Sequence, residues 1–115
     1  MTTIGNGAFR LCSGFTGNLK IPNSITTIGE DAFRWCNGFT GNLTIPESVT
    51  TIERGAFSYC DGIESARFYG NAPTAGDSIF GSRDSTFIVY RLTDKSDWPE
   101  AGETWNGYVT AIFER

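Results

Sequence analysis

Apolar positions along this chain recur in a fixed order that neither one helix nor one sheet explains. Each cycle opens on Thr2-Thr3-Ile4, Thr26-Thr27-Ile28 or Thr50-Thr51-Ile52 and continues through Ala8-Phe9, Ala32-Phe33 or Ala56-Phe57. Cys12, Cys36 and Cys60 follow in one phase, and Gly14, Gly38 and Gly62 in another. The openings at 2, 26 and 50 are 24 residues apart. A constant period of about 20–50 residues is the mark of a solenoid, whose units bury their apolar faces only by stacking.

Within a unit, Leu19-Lys20-Ile21 and Leu43-Thr44-Ile45 alternate with period two, so leucine and isoleucine face inward while Lys20 and Thr44 face solvent. The third copy is one residue shorter and reads Ala66-Arg67-Phe68. Pro22 and Pro46 end these strands because proline cannot donate to the ladder, and Asn23-Ser24 and Glu47-Ser48 supply turn chemistry. The β-branched run Ile25-Thr26-Thr27-Ile28 predicts a second extended segment. Glu30 to Cys36 reads as one tight helical turn with Ala32, Phe33 and Cys36 inward. Asn37-Gly38 ends that turn, as Ser13-Gly14 and Asp61-Gly62 end its counterparts, since glycine takes positive φ without steric cost.

Past residue 70 the pattern decays without stopping. Ile79-Phe80 stands where Ala-Phe would recur, and Thr86-Phe87-Ile88-Val89-Tyr90 where an apolar strand would. Trp98, Trp105, Tyr108, Val109, Ile112 and Phe113 then supply apolar mass to cover the end of the stack, with Trp98-Pro99 and Gly102 favouring an irregular wrap. The expected fold is a repeat solenoid, mostly β with short helical or 3-10 turns. It has about three full units over residues 1–72, then a degenerate fourth coil and a C-terminal cap over 73–115. Stacked phenylalanines form its spine, and truncating Phe33 in the middle coil is expected to cost most, about 3–5 kcal/mol.

Composition narrows the function. A chain of 115 residues is one domain, and its formal charge of -4 leaves no basic face for nucleic acid or an anionic membrane. No stretch approaches the roughly 18 apolar residues of a membrane span, and no signal-peptide pattern is present. Met1-Thr2 enters in mid-repeat, so a piece of a longer protein is expected, with self-association through the uncapped N-terminal end.

Candidate chemistry is sparse. Three cysteines in repeat phase read as a small buried rung, against the alternative of a reactive thiol left over from an odd number. Stacked Cα atoms fall within disulfide reach, but parallel Cβ vectors fit the bond poorly. No histidine and no CxxC pair leave a zinc site short of ligands and a Ser or Cys nucleophile without its base. Glu30-Asp31 and Asp94/Asp97 could pair as glycosidase carboxylates, yet Glu30 and Asp31 suit the start of a helical turn. Asp84 to Asp97 lacks EF-hand spacing. No catalytic residue, metal or cofactor is expected.

Specificity is expected where the copies differ. Leu11, Trp35 and Tyr59 precede the three cysteines, with Arg10 and Arg34 alongside. A position before an inward cysteine tilts outward, and exposed Trp and Tyr suit hot spots or stacking on sugar rings. The competing reading is a partly buried seam. Lys20, Thr44 and Arg67 form a second outward ladder, chemically mixed and equally readable as plain solvated surface.

The unit Leu43-Thr44-Ile45-Pro46-Glu47-Ser48-Val49-Thr50-Thr51-Ile52-Glu53-Arg54-Gly55-Ala56-Phe57-Ser58-Tyr59-Cys60 resembles the BspA-type leucine-rich repeat, a family of surface and secreted proteins of oral and gut bacteria and mucosal parasites. The resemblance spans residues 2 to about 70, and the region from Phe68 to Pro73, then Trp98 and Trp105, is similar to the terminal region of such arrays. Gly17-Asn18 and Gly41-Asn42 lengthen the first two units, and phenylalanine replaces leucine at 15 and 39. Both departures are expected to alter the turn before the strand, not the fold. The resemblance implies a right-handed coil and a non-catalytic, adhesion-type module at the cell surface or secreted. Its partner would be a host-matrix or other surface protein; the alternatives are carbohydrate binding or a structural spacer.

Overall fold

The computed structural model describes residues 2–12, 14, 16–83 and 86–114. Ser13, Phe15 and Asp84, which the sequence reading used, lie outside them. The chain winds as a solenoid of about five turns, held by two sheets and an arc of turns.

Four two-residue strands, β1 (Thr3–Ile4), β2 (Thr27–Ile28), β4 (Thr51–Ile52) and β6 (Thr74–Ala75), pair in parallel in the order β1-β2-β4-β6. The Thr-Thr-Ile repeat makes them: Ile4, Ile28 and Ile52 stack in register and are buried. Their short length follows from the glycine or turn residues that flank the β-branched pair.

The second sheet contains β3 (Gly41–Ile45), β5 (Ile63–Phe68), β7 (Ile88–Arg91), β9 (Tyr108–Ile112) and β8 (Thr104–Trp105), in the order β3-β5-β7-β9-β8. All pairs are parallel except the β8–β9 hairpin at the end. In the first unit the expected strand is reduced to isolated bridges, Gly17 with Phe39 and Lys20 with Thr44. Inward positions stack as Leu43, Ala66, Val89 and Thr110. Thr110 tolerates its buried place because its hydroxyl donates to the Glu103 carbonyl at 2.7 Å. Gly41 takes φ 73°, and the β3–β5 register shifts between Gly41 and Asn42, so the irregularity is absorbed before Leu43.

No helix occurs among the described residues, which corrects the expected helical turn over Glu30 to Cys36. Alternate amides are committed elsewhere. Asp31, Phe33 and Trp35 donate to the carbonyls of Arg54, Ala56 and Ser58 in the next coil, while Ala32, Arg34 and Cys36 close tight turns onto Gly29, Asp31 and Phe33. A helix would need every amide for its own segment; here half of them build the coil-to-coil ladder.

The core lies between the sheets and this arc. Phe9, Phe33, Phe57 and Phe80 stack at centroid distances of 5.2, 5.3 and 5.7 Å. Phe33 and Phe57 are both buried between two rings, but the outer neighbour of Phe33 is Phe9, 36% exposed, whereas Phe57 is wholly buried between two buried rings. Phe80 is the reason, because it extends the ladder one rung past the three readable copies.

The cysteines do more than fill space. The Cys36 and Cys60 thiols donate at 2.9 Å to the carbonyls of Phe9 and Phe33 in the preceding coil, and all three cysteines are free thiols. Arg83 occupies the corresponding place three residues after Phe80. Its guanidinium donates to the Phe80, Ile63 and Cys60 carbonyls at 3.1, 2.9 and 2.7 Å and lies 4.6 Å from the Phe87 ring. Tyr108 bridges the same region, accepting from the Phe80 amide and donating to the Gly81 carbonyl. Trp98 and Trp105 pack edge-on against Phe68 at 5.2 and 5.3 Å, and the Trp98 indole donates to the Gly70 carbonyl.

Candidate functional site

The turn arc builds the first outward ladder. The amides of Cys12, Cys36 and Cys60 return to Phe9, Phe33 and Phe57, closing turns whose third residues are Leu11, Trp35 and Tyr59. Those residues have φ of 64°, 67° and 61°. Positive φ at the third position of a tight turn is glycine's place, and a residue with a side chain costs about 1–2 kcal/mol there. Gly14, Gly38 and Gly62, expected at positive φ, do not adopt it. At Gly62 the requirement is close approach: a Cβ would collide with the Phe39 carbonyl of the neighbouring coil.

The left-handed turns hold their side chains out. Leu11 is 60% and Tyr59 45% exposed, and Trp35 is half-buried between them. The Trp35 and Tyr59 rings stack with centroids 4.0 Å apart and planes inclined by 4°. Arg34 lies 5.3 Å from the Tyr59 ring centre and 3.7 Å from the Asp31 carboxylate. Arg10 is exposed and makes no ion pair among the described residues.

Lys20, Thr44 and Arg67 lie side by side on the outer face of the five-stranded sheet, and Tyr90 and Ala111 continue the row. Arg67 sits 5.7 Å from the Phe113 ring, which meets Tyr69 and Tyr90 edge-on at 5.2 and 6.4 Å. A shallow groove of about 610 Å³ runs beside Lys20, Pro22, Thr44, Pro46 and Tyr69. The two candidate ladders therefore occupy different sides of the coil and do not converge. The sequence reading did not place Tyr69, Tyr90 or Phe113 on this outer face. Tyr90 was reachable, because it follows Arg67 by the 23 residues of the shorter unit (90 − 67).

Of the acidic candidates, Glu30 and Asp31 serve as structural partners. Glu30 accepts from Arg54 at 3.0 Å in the next coil, and Asp31 faces Arg34. Among the described residues no group of three His, Cys, Asp or Glu could hold a metal ion. Burial pushes the Cys60 thiol up to about 12 and raises Cys36 as well, so neither is a thiolate near neutrality. Among the described residues no helix is long and apolar enough to cross a membrane.

At the first coil, a second cleft of about 370 Å³ is almost wholly apolar, lined by Ile4, Phe9, Leu19, Ile21, Ile25 and Phe39.

No curated protein and no solved structure matches the chain. The profile of the BspA type leucine rich repeat region does match, in six copies over residues 1–93, reaching beyond the three units that are plain to the eye. The stacked coils, the phenylalanine spine and that match agree: this chain belongs to the BspA-type leucine-rich repeat family.

Proposed function

We propose that this chain is a non-catalytic, adhesion-type interaction module of a bacterial surface or secreted protein, and that it docks a protein partner through Leu11, Trp35 and Tyr59 with Arg10 and Arg34. The observation that carries the reading is the backbone at that ladder. Three bulky side chains stand at left-handed positions that glycine would occupy without strain, and two of them are largely exposed. Backbone strain retained beneath an exposed aromatic row is what a binding surface would account for, and Trp, Tyr and Arg dominate interface energetics. In this reading residues 1–72 carry the interacting repeats, and residues 73–115 supply a degenerate coil and the cap. The apolar cleft of the first coil would support self-association, which sedimentation at several concentrations checks.

The test is surface plasmon resonance against a panel of purified extracellular-matrix proteins. A Leu11→Ser/Trp35→Gly double variant with an unchanged circular dichroism spectrum is expected to lose at least about tenfold in affinity, the equivalent of roughly 1.4 kcal/mol. Full binding in that variant, together with loss in Lys20→Glu/Arg67→Glu, would move the site to the five-stranded sheet. Silence of the wild-type chain towards every partner would favour a spacer.

A further inference from the structure

The aromatic ladder stops one coil before the phenylalanine spine does. Phe80 still stacks on Phe57 at 5.7 Å, so the fourth coil is in register at that point. Two residues beyond Phe9, Phe33 and Phe57 stand Leu11, Trp35 and Tyr59; two beyond Phe80 stands Ser82. The positive φ has also moved, to Gly81 at 70°, so the residue at the left-handed turn carries no side chain. A cleft of about 470 Å³ opens there, bordered by Tyr59, Ser82, Asp61, Arg34, Arg54 and Ser58. Its size lies in the range of about 300–1,000 Å³ of small-molecule sites.

We infer that this vacant rung is a binding site for a neutral hexopyranose ring, which stacks on Tyr59 as the next member of the ladder. Trp35 covers one face of Tyr59 at 4.0 Å, Arg34 lies 5.3 Å from the ring centre, and Tyr59, still 45% exposed, borders the cleft. The face of a pyranose presents C–H bonds with partial positive charge, which the negative face of an aromatic ring attracts. The rim matches hydroxyl groups in both directions. Asp61 accepts, Arg34 and Arg54 donate, and the exposed Ser82 hydroxyl does either. Charge argues for a neutral ligand: Asp31 and Asp61 balance Arg34 and Arg54 around the cleft, with Arg34 facing Asp31 and Arg54 holding Glu30. An aromatic peptide side chain could stack equally well, but it would desolvate Asp61 and Ser82 without replacing their hydrogen bonds. The site shares Tyr59 and Arg34 with the proposed docking ladder but depends in addition on Ser82 and Asp61, whereas the docking reading is tested at Leu11 and Trp35, so either can fail without the other.

Saturation-transfer NMR with the methyl pyranosides of glucose, galactose and mannose tests it on the whole chain. At least one glycoside is expected to receive saturation and to bind with a dissociation constant of the order of 1 mM, typical of a single small ring making few contacts. Ser82→Trp fills the rung with protein and should remove the signal while leaving the melting temperature unchanged. Asp61→Asn, which alters only the rim, should weaken binding at least about threefold, and Leu11→Ser should leave it intact. Absence of transfer from all three glycosides would overturn the inference. So would undiminished binding in a folded Ser82→Trp chain or in Asp61→Asn, or tighter binding of N-acetyl-tyrosine amide than of any glycoside at the same site.

Discussion

Removing the Phe57 ring should be the most damaging single truncation in the spine. Phe57 is wholly buried, with Phe33 5.3 Å away on one side and Phe80 5.7 Å away on the other. Deleting a buried phenylalanine side chain costs about 3–5 kcal/mol through lost transfer energy and the cavity left behind. Both flanking stacks vanish with it, which places Phe57→Ala near the top of that range. Phe9 stacks on Phe33 and is already 36% exposed, so Phe9→Ala should cost only about 1–2 kcal/mol. A domain of this length holds about 6–17 kcal/mol in total, so the Phe57 variant should still fold, with a melting temperature lower by roughly 15–20 °C. Urea titration followed by tryptophan fluorescence and far-ultraviolet circular dichroism gives the difference, with coincident transitions required before the two are compared. Equal costs for Phe9→Ala and Phe57→Ala would refute the four-rung spine, as would a Phe57→Ala cost below about 1.5 kcal/mol.

Three further outcomes follow from named contacts. Leu11→Gly should leave stability within about 1 kcal/mol of wild type, since strain relief offsets the small packing loss, while the β-branched Leu11→Val should destabilise; thermal melts of the pair decide it. Arg83→Ala leaves three carbonyls without their charged donor and should cost about 2–3 kcal/mol, whereas Arg10→Ala, on an exposed side chain, should cost less than about 0.5. Burial pushes the Cys60 thiol from its ordinary 9.0 up to about 12 in the folded chain, so the native state binds more protons than the unfolded one between those values. Its contribution is intact below pH 9 and is lost towards pH 12, at up to about 1.4 kcal/mol per pH unit; urea midpoints between pH 8.5 and 11 should fall less steeply in Cys60→Ala.

The repeat made the coils, the inward isoleucines and the phenylalanine rungs legible, because stacking forces equivalent residues into equivalent places. The arc was misread for a physical reason. Ala32, Phe33 and Cys36 have the spacing of a helical turn, but the sequence of one coil does not display the carbonyls of the next, and those carbonyls take the amides of Asp31, Phe33 and Trp35. The same error moved positive φ onto the glycines, when Leu11, Trp35 and Tyr59 carry it. Outward tilt of that ladder was readable from its place before the cysteine. The vacancy at Ser82 was not, since it depends on counting forward from Phe80 in a coil whose other positions have drifted.

The thiol bonds give the array a direction of growth. Cys36 and Cys60 each reach back to the phenylalanine carbonyl of the coil before, so a duplicated unit spliced in after coil one or coil two would find an acceptor waiting and would offer one in turn. Arg83 breaks that relay by seizing three carbonyls at once, leaving Phe57 without a thiol donor. Lengthening by unequal exchange is therefore compatible with the stretch that precedes Arg83 and incompatible with the stretch that follows, and natural length variants should differ in the number of Phe-to-Cys units while keeping one terminal arginine coil.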